Sequence, residues 1–229
     1  MNELGTLYIV ATPIGNLEDM TLRAIRILKE VDCILCEDTR TTRTLLNKYD
    51  IKTKTISYHA HSTTGKESAI IRMIEEGQNL ALVSDAGTPC ISDPGVMLVA
   101  NIREKFKQDA KIVPIPGASA LISALSACGV SCAEFTFLGF LPHKKGRETL
   151  FKEIATSTKV VVFYESTHRI LKTLSSLDTY LPESKVVLGR ELTKQFEEFV
   201  EGKPSEIIKY FDDHKDKQRG EFVVIVAPK

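Results

Sequence analysis

Val83-Ser-Asp-Ala-Gly-Thr-Pro-Cys-Ile-Ser-Asp-Pro-Gly95 is the stretch on which the reading of this chain depends. An apolar strand, Leu80-Ala-Leu-Val83, runs straight into it, and helical spacing resumes at Val96-Met-Leu-Val-Ala100. Gly87 and Gly95 permit positive φ or close approach of the backbone to a ligand, while Pro89 and Pro94 fix φ and remove donors. A loop built this way at the carboxyl end of a strand is where an α/β protein places a small molecule. The plainer reading is a tight strand–helix connection. One loop alone does not separate the two.

The same grammar recurs. Ala11-Thr-Pro-Ile-Gly15, Ser84-Asp-Ala-Gly-Thr-Pro89, Pro114-Ile-Pro-Gly-Ala-Ser119 and Leu188-Gly-Arg-Glu-Leu-Thr-Lys194 each follow an apolar strand with Gly, Pro or small hydroxyl residues. Leu7-Tyr-Ile-Val-Ala11 is continuously apolar, as expected of a strand buried on both faces. Further strands are expected at Cys33–Cys36, Thr55–Tyr58, Leu80–Ser84 and Ile112–Ile115. Leu22–Leu28, with Thr21 as its N-cap, has helical spacing, as do about Thr42–Lys48, Lys66–Glu76 and Val96–Phe106. This alternation predicts a parallel, doubly wound α/β sheet. Successive strand C-termini in such a sheet share one edge, so these loops converge.

Pro116-Gly-Ala-Ser-Ala120 opens a helix of small residues running to about Cys128. Beyond it, strands are expected at Phe135–Gly139, Lys159–Tyr164, Lys185–Gly189 and Phe222–Ala227, and helices at Arg147–Thr156, Thr167–Tyr180 and Ser205–Phe211. Short returns such as Val186–Gly202 suggest a mixed sheet. Two α/β domains are therefore expected, 1–116 and 117–229, joined without a linker and enclosing a cleft.

Lys+Arg and Asp+Glu are both 30, so the formal net charge is zero; a bulk polycation that coats nucleic acid is excluded, while a local basic patch is not. No apolar run reaches the ~18 residues of a membrane span, and no signal-peptide pattern opens the chain, so a soluble cytoplasmic protein is expected. Five cysteines do not make a disulfide framework. Cys33-Ile-Leu-Cys36 has CxxC spacing, but at i and i+3 of a strand the thiols face opposite ways, and no second pair completes a zinc site. Cys128 and Cys132 offer no better metal or redox signal. His59-Ala-His61 could share a strand face, without an evident third ligand. No metal is expected.

GxGxxG is absent after the first strand, Thr64-Gly-Lys66 lacks the upstream glycine of a Walker loop, and there is no GxSxG elbow. The cleft reads as built for a neutral or zwitterionic small molecule held largely by backbone groups. A second, charged set stands at strand ends: Glu37-Asp-Thr-Arg40, Glu165-Ser-Thr-His-Arg169 and Arg190-Glu-Leu-Thr-Lys194. These are catalytic candidates or structural ion pairs. Lys144-Lys145-Gly-Arg147 adds a compact basic patch that could receive phosphates, or could be a solvated helix start.

Taken together, Ala11–Asp19, Glu37–Arg40, Val83–Gly95, Pro116–Ser119, Gly139-Phe-Leu-Pro142, Tyr164-Glu-Ser166, His168-Arg169, Gly189–Lys194 and Gly220-Glu-Phe222 resemble the tetrapyrrole methylase superfamily of S-adenosyl-L-methionine-dependent enzymes. Within it the chain is similar to the 16S rRNA (cytidine-2'-O)-methyltransferase group. Cys90 stands where that group usually has a small residue. The resemblance implies two α/β domains with the cofactor in the cleft between them. It implies cofactor contacts from Pro13, from Asp85, Gly87, Thr88 and Ile91, from Gly117, Ala118 and Ser119, and from Tyr164, Gly189 and Glu221. It implies a homodimer acting on a decoding-region cytidine of 16S rRNA within the 30S subunit, with neither DNA nor membrane as partner.

Methyl transfer to a ribose 2'-hydroxyl needs in-line approach and benefits from a base or a charge-stabilising cation. The candidates are Asp38, Glu165, Glu191 and Lys194, with Arg40 and Arg169 as phosphate or transition-state contacts. The main alternative is a corrin or porphyrin precursor methylase of the same fold. A non-catalytic RNA-binding factor that kept the fold is another.

Overall fold

The computed structural model describes residues 3–59 and 64–228. Tertiary contacts divide the chain into two compact units, Met1–Ser119 and Ala120–Lys229. Ala60 and His61, and with them half of the His59-Ala-His61 motif, lie outside the described residues.

In the first unit, strands β1 (Thr6–Val10), β2 (Cys33–Cys36), β3 (Thr55–Ser57), β4 (Leu80–Leu82) and β5 (Lys111–Ile115) form a sheet of order β3-β2-β4-β1-β5. Every pairing in it is parallel. Because side chains alternate along a strand, the apolar runs divide between two cores. Leu7, Cys33, Leu35, Leu80 and Leu82 enter one, with Ile70, Ile71 and Ile74 of helix α3 (Thr64–Glu75) and Leu98 and Ile102 of α4 (Val96–Phe106). Val10, Ile34, Cys36, Ala81 and Val83 enter the other, with Ala24, Ile27 and Leu28 of α1 (Leu22–Glu30) and Leu45 and Leu46 of α2 (Thr39–Lys48). This is the parallel, doubly wound sheet expected from the sequence. The two thiols of Cys33-Ile-Leu-Cys36 lie in separate cores, and burial pushes both pKa values up.

The strand order positions the site. From β1 the chain crosses to β2 on one side, and from β4 it crosses over β1 to β5 on the other. The crossing direction reverses beside β1 and β4, and in open α/β sheets the crevice forms at the carboxyl ends of such strands. Helix α2 begins at Thr39, before the Thr42 suggested by apolar spacing, because the Asp38 carboxylate accepts the Arg40 N–H at 2.8 Å and caps it.

In the second unit, α5 (Ala120–Ala127) precedes β6 (Phe135–Phe140), α6 (Arg147–Thr156), β7 (Val160–Ser166), α7 (Ile170–Tyr180), β8 (Val186–Arg190), β9 (Glu198–Gly202), α8 (Pro204–Asp213) and β10 (Glu221–Val226). The sheet order is β6-β7-β10-β8-β9. It is mixed, with β6 and β7 parallel and the other pairs antiparallel. The return over Val186–Gly202 resolves into β8 and the edge strand β9. Phe151, Ile154, Leu174, Leu177, Ile207 and Phe211 from the helices meet Val161, Phe163, Leu188, Phe222 and Val224 on one sheet face. Phe163 is fully buried there. Phe163→Ala should cost about 3–5 kcal/mol of stability, read as a lower urea midpoint with an unchanged slope.

Candidate functional site

β1 and β4 are parallel neighbours, so the loops that follow them leave the sheet side by side. Two backbone hydrogen bonds clasp them: Thr12 N–H to Gly87 O at 2.9 Å, and Gly87 N–H to Thr12 O at 3.0 Å. The buried Thr12 hydroxyl donates to Ser84 O at 3.0 Å, and the Ser84 hydroxyl donates to Gly87 O at 3.0 Å. Gly87 sits at φ +78°, where an added Cβ would stand 3.3 Å from Ile14 Cγ2. The Thr88 hydroxyl donates to Ala118 O at 3.1 Å, tying in the loop after β5. Gly117 lies so close to Ala11 that a Cβ on it would be 2.8 Å from the Ala11 methyl. Three loops are thus fastened together by their backbones.

Between the first two loops and α2 lies a cavity of about 420 Å³, lined by Thr12, Pro13, Ile14, Gly15, Leu17, Thr41, Thr42, Thr44, Leu45, Ser84, Asp85 and Ala86. Its size falls within the ~300–1,000 Å³ of small-molecule sites. Hydroxyls, an apolar floor and one carboxylate suit a polar ligand of moderate size. The Asp85 carboxylate accepts the Asp38 N–H at 3.2 Å, which couples the β4 loop to the start of α2.

The electrostatics are acidic. Burial raises the Asp93 carboxyl to a pKa of about 6, and the charges of Glu37 and Asp85 push it the same way. Glu37 is raised by burial and then by Asp85. Three carboxyl groups within electrostatic reach of one another set up a field that favours a cationic ligand.

The charged candidates fall into three settings. Arg40 is exposed and forks onto the Asp38 carboxylate, Nη2 to Oδ2 at 2.9 Å and Nε to Oδ1 at 3.2 Å. Glu165 is buried. Its Oε2 accepts the Thr173 hydroxyl at 2.6 Å, while its Oε1 accepts its neighbour's Ser166 N–H at 2.8 Å and pairs with Arg169 Nε at 3.1 Å. With both oxygens engaged, this carboxylate is a strut rather than a free proton acceptor.

Lys194 Nζ bridges Glu191 Oε1 at 2.9 Å and Glu221 Oε2 at 2.7 Å. Burial works against the charge on Glu191, but Lys194 and the Glu221 N–H outweigh it and hold that carboxyl below the usual range. Burial likewise opposes the Lys194 charge, and the two carboxylates raise its pKa nonetheless.

Among the other expected contacts, Pro13 and Asp85 line the cavity. Gly87, Thr88 and Ala118 fasten its walls, whereas Ile91 is exposed and outside the lining. Ser119 is half-buried at the end of the first unit. Tyr164 accepts the Leu121 N–H at 3.2 Å, and Gly189 packs on Leu192 and Phe199. Sequence reasoning missed Thr41 and Thr44, which the hydroxyl-rich run Thr39–Thr44 could have flagged. No group of three metal-ligating side chains is poised for an ion among the described residues, and no helix there is long and apolar enough to cross a membrane. Two outcomes check this site. Gly87→Val should lose stability and disorder the cavity, seen as a lower unfolding midpoint. Asp93 should titrate near pH 6 by carboxyl NMR, being protonated below that and charged above.

The family described as Tetrapyrrole (Corrin/Porphyrin) Methylases matches residues 6–208. The protein named ribosomal RNA small subunit methyltransferase I from Thermotoga maritima is 43% identical over 226 residues, covering 99% of this chain and 100% of that one. Its namesakes from Halalkalibacterium halodurans and Escherichia coli O157:H7 are 46% and 44% identical, each covering 98% of this chain and 76% and 78% of their own lengths. Among solved structures, a diphthine synthase is similar with TM-score 0.73 at 12% identity, covering 97% of this chain and 90% of its own. A uroporphyrin-III C-methyl transferase from Thermus thermophilus, complexed with S-adenyl homocysteine, has TM-score 0.65 at 18% identity and 97% coverage of both chains. At such identities the solved structures speak to the fold alone.

Proposed function

Because the chain belongs to the tetrapyrrole methylase family, and within it to the ribosomal RNA small subunit methyltransferase I group, we propose that it transfers a methyl group from S-adenosyl-L-methionine to a ribose 2'-hydroxyl of a decoding-region cytidine in 16S rRNA. The observation that carries this reading is the high identity to relatives of that name along nearly the whole chain and most or all of their own length. Corrin and porphyrin methylases share the fold at much lower identity, so the small-molecule alternative draws no comparable support.

The first unit's strand ends fit the cofactor. Its sulfonium is a cation, and Glu37, Asp85 and Asp93 favour one. Its ribose and amino-acid groups need hydrogen-bond partners, and Thr41, Thr44 and Asp85 line a cavity of suitable size. When bound, the cofactor supplies an electrophilic methyl carbon on a positively charged sulfur. Pro13, Asp85, Gly87 and Thr88 would hold it, the last two mainly by fixing the loops from which backbone groups reach it.

As the oxygen–methyl bond forms and the methyl–sulfur bond breaks, the 2'-hydroxyl proton would pass to a base or to solvent. Asp38 is committed to a helix cap and to Arg40, and Glu165 is enclosed. Of the charged candidates, the Lys194–Glu191–Glu221 cluster is the one that stays partly accessible.

Labelled cofactor incubated with undermodified 30S subunits, naked 16S rRNA and a tetrapyrrole precursor tests the reading. Label should enter RNA, and mass spectrometry of rRNA should place it on one 2'-O-methylcytidine absent from cells lacking the protein. Label in the tetrapyrrole and none in RNA overturns it. Asp85→Ala should weaken cofactor binding by roughly tenfold or more, the scale of one charged contact. Protonation of Asp93 removes a negative charge that favours the sulfonium, so calorimetric affinity should rise as pH increases through about 6. Asp93→Asn should flatten that rise.

A further inference from the structure

The second unit carries an aromatic ring and a basic loop side by side. β6 and β7 pair at Phe137↔Val162 and again at Phe140↔Tyr164, so three residues of advance on β6 match two on β7. Gly139, at φ +61°, sits in this bulge. Without it, Phe137 and Phe140 would point to opposite faces. With it, both rings meet Tyr164, at centroid distances of 5.0 and 5.4 Å. Phe137 is half-buried, whereas Phe140 is 58% exposed.

Three residues on, His143, Lys144 and Lys145 are all exposed. Neither lysine forms an ion pair among the described residues, and the nearby Glu148 is engaged with Lys152 at 2.9 Å. The loop is held from beneath. Arg147 Nη1 donates to Pro142 O at 3.3 Å and its Nη2 to the Thr173 hydroxyl at 2.6 Å, which in turn donates to Glu165. Arg169, paired with the same carboxylate, donates from Nη2 to Leu141 O at 2.5 Å. A buried carboxylate and two arginines therefore fix both ends of a loop whose tip is cationic.

We propose that Phe140 and the loop Pro142–Gly146 form a platform for single-stranded RNA, Phe140 stacking on an unpaired base while Lys144 and Lys145 hold flanking phosphates. This rests on the RNA-methylation reading above. An exposed ring beside cations is the pairing that single strands use, since bases out of a duplex offer their faces. A loop already ordered loses little entropy on binding. A second copy of the chain fits less well, because a two-fold contact through this patch would bring like-charged lysines together.

A short fluorescein-labelled single-stranded RNA, titrated by anisotropy across a range of KCl, is the test. Phe140→Leu should weaken binding about tenfold with the salt slope unchanged. Lys144→Ala/Lys145→Ala should flatten the slope of log Kd against log salt by about 1.4, the effect of two phosphate contacts on a single strand. The same sequence annealed into a duplex should bind the wild-type protein more weakly than the strand does. Unchanged affinity and slope in both variants overturn the platform, as does a shift of oligomeric state by Phe140→Leu in sedimentation. If the wild-type protein methylates rRNA while these outcomes hold, the platform alone fails. If the wild-type protein transfers no methyl to rRNA, the underlying reading fails and the platform with it.

Discussion

Two hydrogen bonds between the backbones of Thr12 and Gly87 set the geometry on which the first unit's site depends. They join the loops after two neighbouring parallel strands and leave room between those loops and α2 for a cavity. The clasp needs a residue at positive φ on the β4 side, and glycine takes that conformation without steric cost. Thr12 and Ser84 then spend their hydroxyls on carbonyls of the same loop, which leaves its buried backbone satisfied. A rigid, satisfied loop can offer its remaining groups to a ligand without first being ordered.

The second unit solves a related problem with charge. Glu165 is buried beneath two arginines and a threonine, and Arg190 is buried against Glu198 and the carbonyls of Phe196 and Arg219. Desolvation offsets much of the attraction in such clusters, so their net contribution to stability is small. Their geometric effect is larger. Arg190 holds carbonyls from two separate segments in one place, Arg147 and Arg169 hold those of Pro142 and Leu141, and removing a partner would leave an uncompensated buried charge. Charged residues that read in sequence as either catalytic candidates or structural ion pairs differ in setting, between enclosed pairs that hold loops and a Lys194-centred cluster that stays partly accessible.

The elements were largely legible because both sheets bury apolar strands between glycine- and proline-rich loops, and alternation assigned each side chain to a face. Where local reading slipped, a specific contact was responsible. The start of α2 is set by the Asp38 cap, which apolar spacing cannot register. β9 alternates half-buried and exposed residues along an edge, so it lacks the continuous apolar run that marks its neighbours. Three of the four expected loops, after β1, β4 and β5, converge because parallel strands end on one sheet edge; the fourth, Leu188–Lys194, follows β8 in the mixed sheet of the second unit. Ile91, apolar within a ligand-type loop, nevertheless points to solvent.

The sequence by itself determined the fold class and set glycine- and proline-rich loops at the strand ends, and its motifs resembled the family to which the chain belongs. Those properties follow from residue type and spacing, which local sterics and burial translate directly into strands, helices and positive-φ turns. Tertiary structure alone decided what each polar group is for. The same acid–base pairing serves as a helix cap at Asp38, a buried strut at Glu165 and an accessible cluster at Glu191, because a side chain's solvation and partners come from segments distant in the chain. Only the register shift at Gly139 turned Phe140 outward beside its lysines, a consequence of pairing between two strands that neither strand encodes alone.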